Sequence, residues 1–507
     1  MGQVAAAGAS VTNVPVDPGC LPAWEVGELP RPVPFRMRNW LSLIGPGLVL
    51  AGASVGSGEF VIGPQVGARY HGAMMWAVLA SIVAQVILNT EVMRYTLCTG
   101  EPIFTGFMRS WPGPKFWIVI YLLLDFGGWW PAQAGLAAQI LVVMCQGLSP
   151  TDTIDLQTVR MVSYGVFAVC GAAALFGGKI YNTVAMVASG KFLSVLLFMA
   201  FCSLFYVSAK TWGQMWAGLI NPFNVPQSVD GRSGIDWTII ASLVGLSGVG
   251  GMGNIMVSNF VREKGWGMGP LVGAIPSAFG GHKITLSHIG TMCRPGPQTT
   301  QRFRGWFRYL LADQYAVWAL GSLIAMMMPC MLGAEYLKGQ GFKDPWRWAA
   351  ALAQDFGSAR GEIFRFLTLL SGLIIMIPGQ FMTIDTTSRR WTDAIWSASR
   401  WVRTMDTHKV KYIYYSLAGA YLTFGLCGYT FFPNLSASTM MLVAANTANL
   451  SISACIFHTL YVNHRFLPRE LRPSMGKSAA LATSGVFFLS MFALVVNQKI
   501  VPLLLGR

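Results

Sequence analysis

Charge is what this sequence has least of. Asp, Glu, Lys and Arg make up 11% of its 507 residues, against about 25% in soluble domains. So few charges cannot solvate an ordinary globular surface, and with 53% hydrophobic residues the chain reads as an all-α polytopic membrane protein whose first partner is the lipid bilayer. The cysteines contain neither a CxxC pair nor a Cys/His cluster, which excludes a legible disulfide framework or zinc site. No GxxxxGK[ST] loop is present, so ATP-driven pumping is not expected. HExxH, GxSxG and paired carboxylates at helical spacing within one span are missing as well, so neither an enzyme nor a bound cofactor is expected. The first 30 residues hold no Lys or Arg and lack the basic region of a signal peptide. Their Pro/Gly-rich run reads as a flexible cytoplasmic tail over residues 1–40.

Basic residues outnumber acidic ones, 36 to 21. They lie in short stretches between apolar spans, which reflects membrane topology and argues against a nucleic-acid partner. A span needs about 20 mostly apolar residues. Eleven stretches qualify, near 41–69, 73–97, 116–146, 159–177, 184–207, 237–261, 309–332, 364–386, 412–432, 437–462 and 478–498. Positive charge gathers in alternate loops, among them Arg109 with Lys115, the long Arg262–Arg308 segment, Arg389–Lys411 and Arg465–Lys477. The positive-inside rule then puts the N-terminus in the cytoplasm and the C-terminus outside the cell membrane.

Two spans are unusual for glycine. The first breaks at Gly56-Ser57-Gly58 and continues at once with Glu59. The sixth crowds Gly245, Gly248, Gly250, Gly251 and Gly253 just before Asn254. Glycine-rich helices often only pack closely. Two breaks five spans apart, however, match a pair of inverted repeats, about 41–207 and 237–462 with an extra helix at 478–498, each giving one discontinuous helix to a shared midplane site.

The same residues carry a family resemblance. Gly45-Pro46-Gly47 opening the first span, the break ten residues on, Gly67, then Arg94 and Thr99-Gly100 closing the second span resemble the Nramp divalent-metal transporters. Ser371-Gly372 and Gly379-Gln380 resemble that family's eighth span. The resemblance implies a LeuT-type fold of two five-helix repeats with broken helices 1 and 6, alternating access and proton-coupled metal uptake. Where the family has its metal-binding Asp and Asn, this chain has Gly56 and Glu59. Gly251-Met252-Gly253 stands in place of Met-Pro-His, and the acidic positions of the proton pathway fall on Trp129 and Ala132. A site of Glu59, Asn254, Ser57 and carbonyls is oxygen-only, so a hard or hydrated divalent cation is favoured among metals. Glu59 and Asn254 are then the expected metal ligands. Glycine-serine-glycine also resembles the break of amino-acid transporters, so a small organic solute is the alternative, and a non-transporting sensor the third reading.

Other intramembrane polar residues extend the candidate set. Glu91 and Arg94, three apart, neutralise one another. Asp125 is a coupling candidate that Lys191 would equally well neutralise, and Trp129 beside Gly127-Gly128 is placed to wall a substrate cavity. Asp313 is a further coupling candidate for a proton or sodium, with helix capping or pairing to Arg308 as the bland reading. Asp385 belongs with Arg389-Arg390. Asn446 and Asn449, three apart, are positioned to face the bundle and the substrate, or to hydrogen-bond between helices. His458 and most Met and Trp residues read as packing.

Overall fold

The structure, a computed structural model, describes residues 17–36, 46–54, 56, 58–176, 180–222, 234–275, 286–337 and 345–504. Ser57, Gly45, Lys179, His282 and Lys283 lie outside these. The first predicted span is a pair of helices, α1 (Pro46–Ser54) and α2 (Gly63–Tyr70), with a π-helical turn Gly58–Ile62 leading into α2. It is followed by α3 (Met75–Thr99), whose end is turned by Gly100 at φ 67, and by the short α4 (Ile103–Arg109). The third span is also divided, into α5 (Pro114–Asp125) and α6 (Ala132–Gln146). Gly127, Gly128 and Pro131 lie between them, and Pro131 has no N–H to continue the ladder. Then come α7 (Leu156–Phe176), α8 (Ile180–Tyr206) and α9 (Ala209–Ile220).

The sixth span separates into α10 (Trp237–Leu246) and α11 (Val257–Lys264), with a 3-10 turn Gly251–Met256 opening the second piece. Beyond it, α12 (Pro297–Ala312) passes through a π segment, Asp313–Ala319, into α13 (Leu320–Tyr336). The remaining helices are α14 (Pro345–Arg360), α15 (Glu362–Ala398), α16 (Val410–Phe431), α17 (Ala437–Phe466) and α18 (Met475–Val495). Among the described residues, eight helices are long and apolar enough to cross a membrane. The first, third and ninth predicted stretches are helical too, the first two in pieces.

Two contacts fix the neighbourhood of the first break. A Cβ on Gly67 would fall 1.9 Å from the Cys330 carbonyl oxygen, and one on Gly333 would fall 2.1 Å from that of Pro64. Helices α2 and α13 therefore touch backbone to backbone, the use of glycine expected where no hydrophobic effect drives helices together.

Residues 17–36 differ from the flexible tail their composition predicts. Leu21, Trp24 and Leu29 are buried, and β1 (Glu25–Gly27) pairs in parallel with β2 (Thr291–Cys293). A Pro-rich extended segment makes no internal hydrogen bonds, so its carbonyls are open to outside donors. Here Arg109 donates to Pro18 and Pro22, Arg302 to Leu29, Trp306 to Pro30 and Tyr309 to Pro34. The apolar segment Gly269–Ile275 forms one short helical turn at this same end of the bundle, Gly269–Val272; residues 276–281 lie outside the described set.

Candidate functional site

The site is built where the sixth span comes apart. Helix α10 ends at Leu246, and Gly250 and Gly251 then take φ 77 and 54. Those left-handed values cost a side-chain-bearing residue energy that glycine avoids. The chain re-enters helix at Gly251, so the positive end of a helical run reaching Lys264 is presented mid-bundle. A cavity of ≈ 160 Å³ opens there. Leu246 and Val249 to Gly253 form one wall; the others come from α5–α6 (Asp125, Gly127, Gly128, Trp130, Gln133), α15 (Gly379, Gln380, Thr383, Thr386, Thr387, Arg390) and α17 (Met441, Thr447, Ser451). The first break abuts this site, since a Cβ on Gly58 would lie 2.6 Å from Leu246 Cβ.

The cavity's ion pair joins the third and eighth spans. Asp125 accepts from Arg390 Nη2 at 2.6 and 2.8 Å and from Trp391 Nε1 at 2.9 Å. Arg390 Nη1 also reaches the Met252 carbonyl at 3.4 Å. Asp125 is thus neither unpaired nor held by Lys191 alone, as the sequence left open. Its partner sits 265 positions away. Below it, α15 continues the ion pairs: Arg389 bonds Asp385 at 2.9 Å and Glu263 at 2.5 Å, and Asp393 bonds Arg262 at 2.6 Å.

The predicted residues divide. Gly251 and Gly253 line the cavity, and Gly56 and Gly58 are buried at the neighbouring break. The backbone of Glu59 lies in the π turn, while Ser57 is outside the described residues. Asn254 is not among the cavity-lining residues: its amide donates to Gln85 at 2.9 Å and Asn89 at 3.1 Å on α3. In a turn of three residues, one step along the chain is enough to carry a side chain round to another neighbour. Asn446 donates to Ser242 Oγ at 2.8 Å and Asn449 to the Ala241 carbonyl at 2.9 Å. Both tie α17 to α10, the interhelical alternative. Trp129 stacks on Tyr421 with ring centroids 5.6 Å apart, and Trp130 takes the place at the cavity expected for it. Asp313 does not pair with Arg308 in the hydrogen bonds seen; it accepts from the Gly47 N–H at 2.6 Å, at the N-terminus of α1. There a carboxylate meets the positive helix end.

Sequence reasoning grouped Arg390 with Asp385 and not with the cavity, and missed Gln133 and the threonines of α15. Ser371-Gly372 and Gly379-Gln380 were the signals toward that helix; Gln380 Oε1 accepts from the Ala134 N–H at 3.1 Å, at the start of α6. The expected oxygen-only lining is also incomplete, because Met252, Met382 and Met441 line the cavity. Among the described residues no three or more His, Cys, Asp or Glu side chains group as metal ligands. His458 is structural in its contacts, bonded to Tyr121 and Ser110 at 2.8 Å each.

No family model matches the chain. A divalent metal cation transporter, MntH of Chromohalobacter salexigens, is 24% identical over 136 residues, 26% of this chain and 32% of that protein. The match thus spans about a third of that relative's length. The fold match is far wider. The crystal structure of a mutant Eremococcus coleocola manganese transporter superposes with a TM-score of 0.64 at 12% identity, covering 95% of this chain and 91% of that one. The same manganese transporter with an aromatic bis-isothiourea compound gives 0.62 at 11% identity, over 94% and 90%. The nucleobase-cation-symport-1 transporter Mhp1, closed around bromovinylhydantoin, gives 0.52 at 13%, over 95% and 94%. The chain is a multi-pass membrane protein that shares the helical fold of these transporter structures.

Proposed function

We propose that this chain is an Nramp-like secondary transporter that carries a hard or partly hydrated divalent cation across the cell membrane by alternating access. One observation carries the reading: in a transporter fold, the break of the sixth span lines a polar cavity and the break of the first seats against it, Gly58 on Leu246. Uncoiled backbone at membrane depth is tolerated where it lines such a cavity. The absence of a described acidic or histidine cluster favours a cation that keeps part of its water, since a dehydrated transition metal demands protein ligands. Helices α2 and α13, locked by Gly67 and Gly333, would move as one body against α5–α6 and α15. Inverted repeats near 41–207 and 237–462, with 478–498 peripheral, supply the two halves.

Glu59, Asp125 and Asp313 are the coupling candidates for a proton or sodium. Charge in the loops supports a cytoplasmic N-terminus and an extracytoplasmic C-terminus. Uptake of Mg, Ca and Mn into proteoliposomes, with imposed proton or sodium gradients, tests the reading. Saturable uptake of one of them, lost in Glu59→Gln while the protein still folds, is the expected result. Uptake of no cation under any gradient overturns it.

A further inference from the structure

We infer that Gly128, in the break of the third span, determines which cargo the cavity accepts, by leaving open a space that a side chain would fill. The inference rests on the transport reading of this same cavity and adds to it a specificity-determining residue. The break is a built feature, because side chains of α15, α16 and α17 take up the backbone groups it frees. Tyr421 donates to the Gly128 carbonyl at 3.2 Å, Tyr429 to that of Pro131 at 2.6 Å and Ser451 to that of Leu124 at 2.6 Å, while the Ala134 N–H donates to Gln380 at 3.1 Å. Non-helical backbone persists at membrane depth where such partners satisfy it.

Among the described glycines that line the cavity, Gly128 is the one whose missing side chain the fold does not require. Gly250 and Gly251 take φ 77 and 54, values that favour glycine. A Cβ on Gly127 would fall 2.4 Å from Thr447 Oγ1, one on Gly253 2.3 Å from Val249 Cγ1, and one on Gly379 2.0 Å from Gln133 Oε1. At Gly128 neither reason applies. Its φ is not left-handed, and the one atom within 4 Å of an added Cβ is Asp125 Oδ1 at 3.6 Å, an ordinary contact. Asp125 lines the cavity and Gly128 is itself exposed there, so a methyl group at this position would stand in the open space. Glycine loses more conformational freedom on folding than alanine does. Neither turn geometry nor packing offsets that loss here; the room it leaves does.

Such room matters only to a cargo of some bulk. A bare divalent ion is smaller than a water and would pass a methyl group unhindered, whereas one that keeps waters would not. The ≈ 160 Å³ cavity holds about five waters at ~30 Å³ each, and the four side-chain carbons of a leucine at position 128 would displace most of them. The half-buried hydroxyls of Thr383, Thr386 and Thr447 suit a water shell as well. Each gives its hydrogen to a helix carbonyl, at 3.0, 2.8 and 2.8 Å, and keeps oxygen lone pairs that accept from water.

Uptake of Mg, Ca and Mn into proteoliposomes by wild-type protein and by Gly128→Ala, Gly128→Val and Gly128→Leu tests the inference. A KM that rises in step with side-chain size, at least tenfold for Gly128→Leu, is expected. The thermal midpoint of Gly128→Ala is expected to equal or exceed that of wild type, since no clash opposes the methyl group; a glycine needed only for packing would give a lower one. Should the larger variants not fold, Gly128→Ala and a cysteine probe decide. With the exposed Cys20, Cys145 and Cys427 replaced by serine, the thiol introduced by Gly128→Cys is expected to react with a small water-soluble thiol reagent, and more slowly with a transported cation at saturation. Uptake that is indifferent to the side chain at 128, a lowered Gly128→Ala midpoint, or an introduced thiol that no cation protects overturns the inference. If wild-type protein still takes up a cation, only the role of Gly128 falls; if it takes up none, the transport reading falls with it.

Discussion

At the scale of single residues, the Asp125–Arg390 pair carries the largest energetic consequence. Both side chains are nearly inaccessible, so removing one leaves the other's charge buried and uncompensated, a loss of about 3–5 kcal/mol. Asp125→Asn is expected to lower the thermal midpoint sharply, and adding Arg390→Gln to recover part of it. A single variant with wild-type stability would refute the clasp. Outside the spans, Glu101 is bonded by Arg109 at 2.5 and 2.9 Å and by Tyr95 at 2.8 Å. Burial opposes its ionisation, but the Arg109 guanidinium outweighs this and holds its carboxyl below the usual range. A depressed native pKa means stability that is complete above the ordinary glutamate value and lost as pH falls through the native one. Unfolding midpoints measured down an acid series are expected to drop through that window, and Glu101→Gln to flatten this part of the curve.

Elements show why small residues were placed where they are. The α2–α13 contact leaves no space for a methyl group at Gly333, since the obstruction is the Pro64 carbonyl and cannot rotate away. Gly333→Ala is accordingly expected to separate the helices and abolish the monodisperse peak in size-exclusion chromatography. Gly419→Ala, where nothing lies within 4 Å, is expected to be neutral or slightly stabilising. The strap of residues 17–36 makes a comparable case for a loop. Trp24 lies 3.9 Å from the Arg109 guanidinium, a contact worth about 0.5–2 kcal/mol. Trp24→Ala is expected to speed proteolysis within the strap while leaving the transmembrane core intact, as limited digestion with a low-specificity protease followed by mass spectrometry would show.

Across the whole molecule, topology is the property most directly open to test. Cys20 and Cys145 are both exposed, one in the N-terminal strap and the other at the end of α6. With the N-terminus cytoplasmic, a membrane-impermeant thiol reagent is expected to label Cys145 on intact cells and Cys20 only after permeabilisation. The reverse pattern would invert the orientation. Rigid movement of α2 with α13 also belongs to this scale, because a transport cycle changes distances between bodies while preserving those within one. Spin labels placed on α2 and α13 are expected to keep a constant separation when substrate is added.

The membrane class, eight of the long apolar helices and the two glycine breaks were readable from residue order, because hydropathy and helix interruption are local properties that sum along the chain. Gly251 and Gly253 line the cavity because a break exposes its own backbone. Asn254, Asn446, Asn449 and Trp129 lie in segments that border the cavity, yet the structure turns them toward neighbouring helices. Each residue along a helix rotates the side chain by about 100°, so facing the cavity or facing a neighbour depends on helix azimuth, which packing sets. Arg390 came to Asp125 across 265 positions by the same rule, and Trp130 replaced Trp129 at the wall. Sequence alone marked the apolar helices and two of their breaks, in the first and sixth spans; tertiary structure added the break of the third and decided which polar groups line the space between.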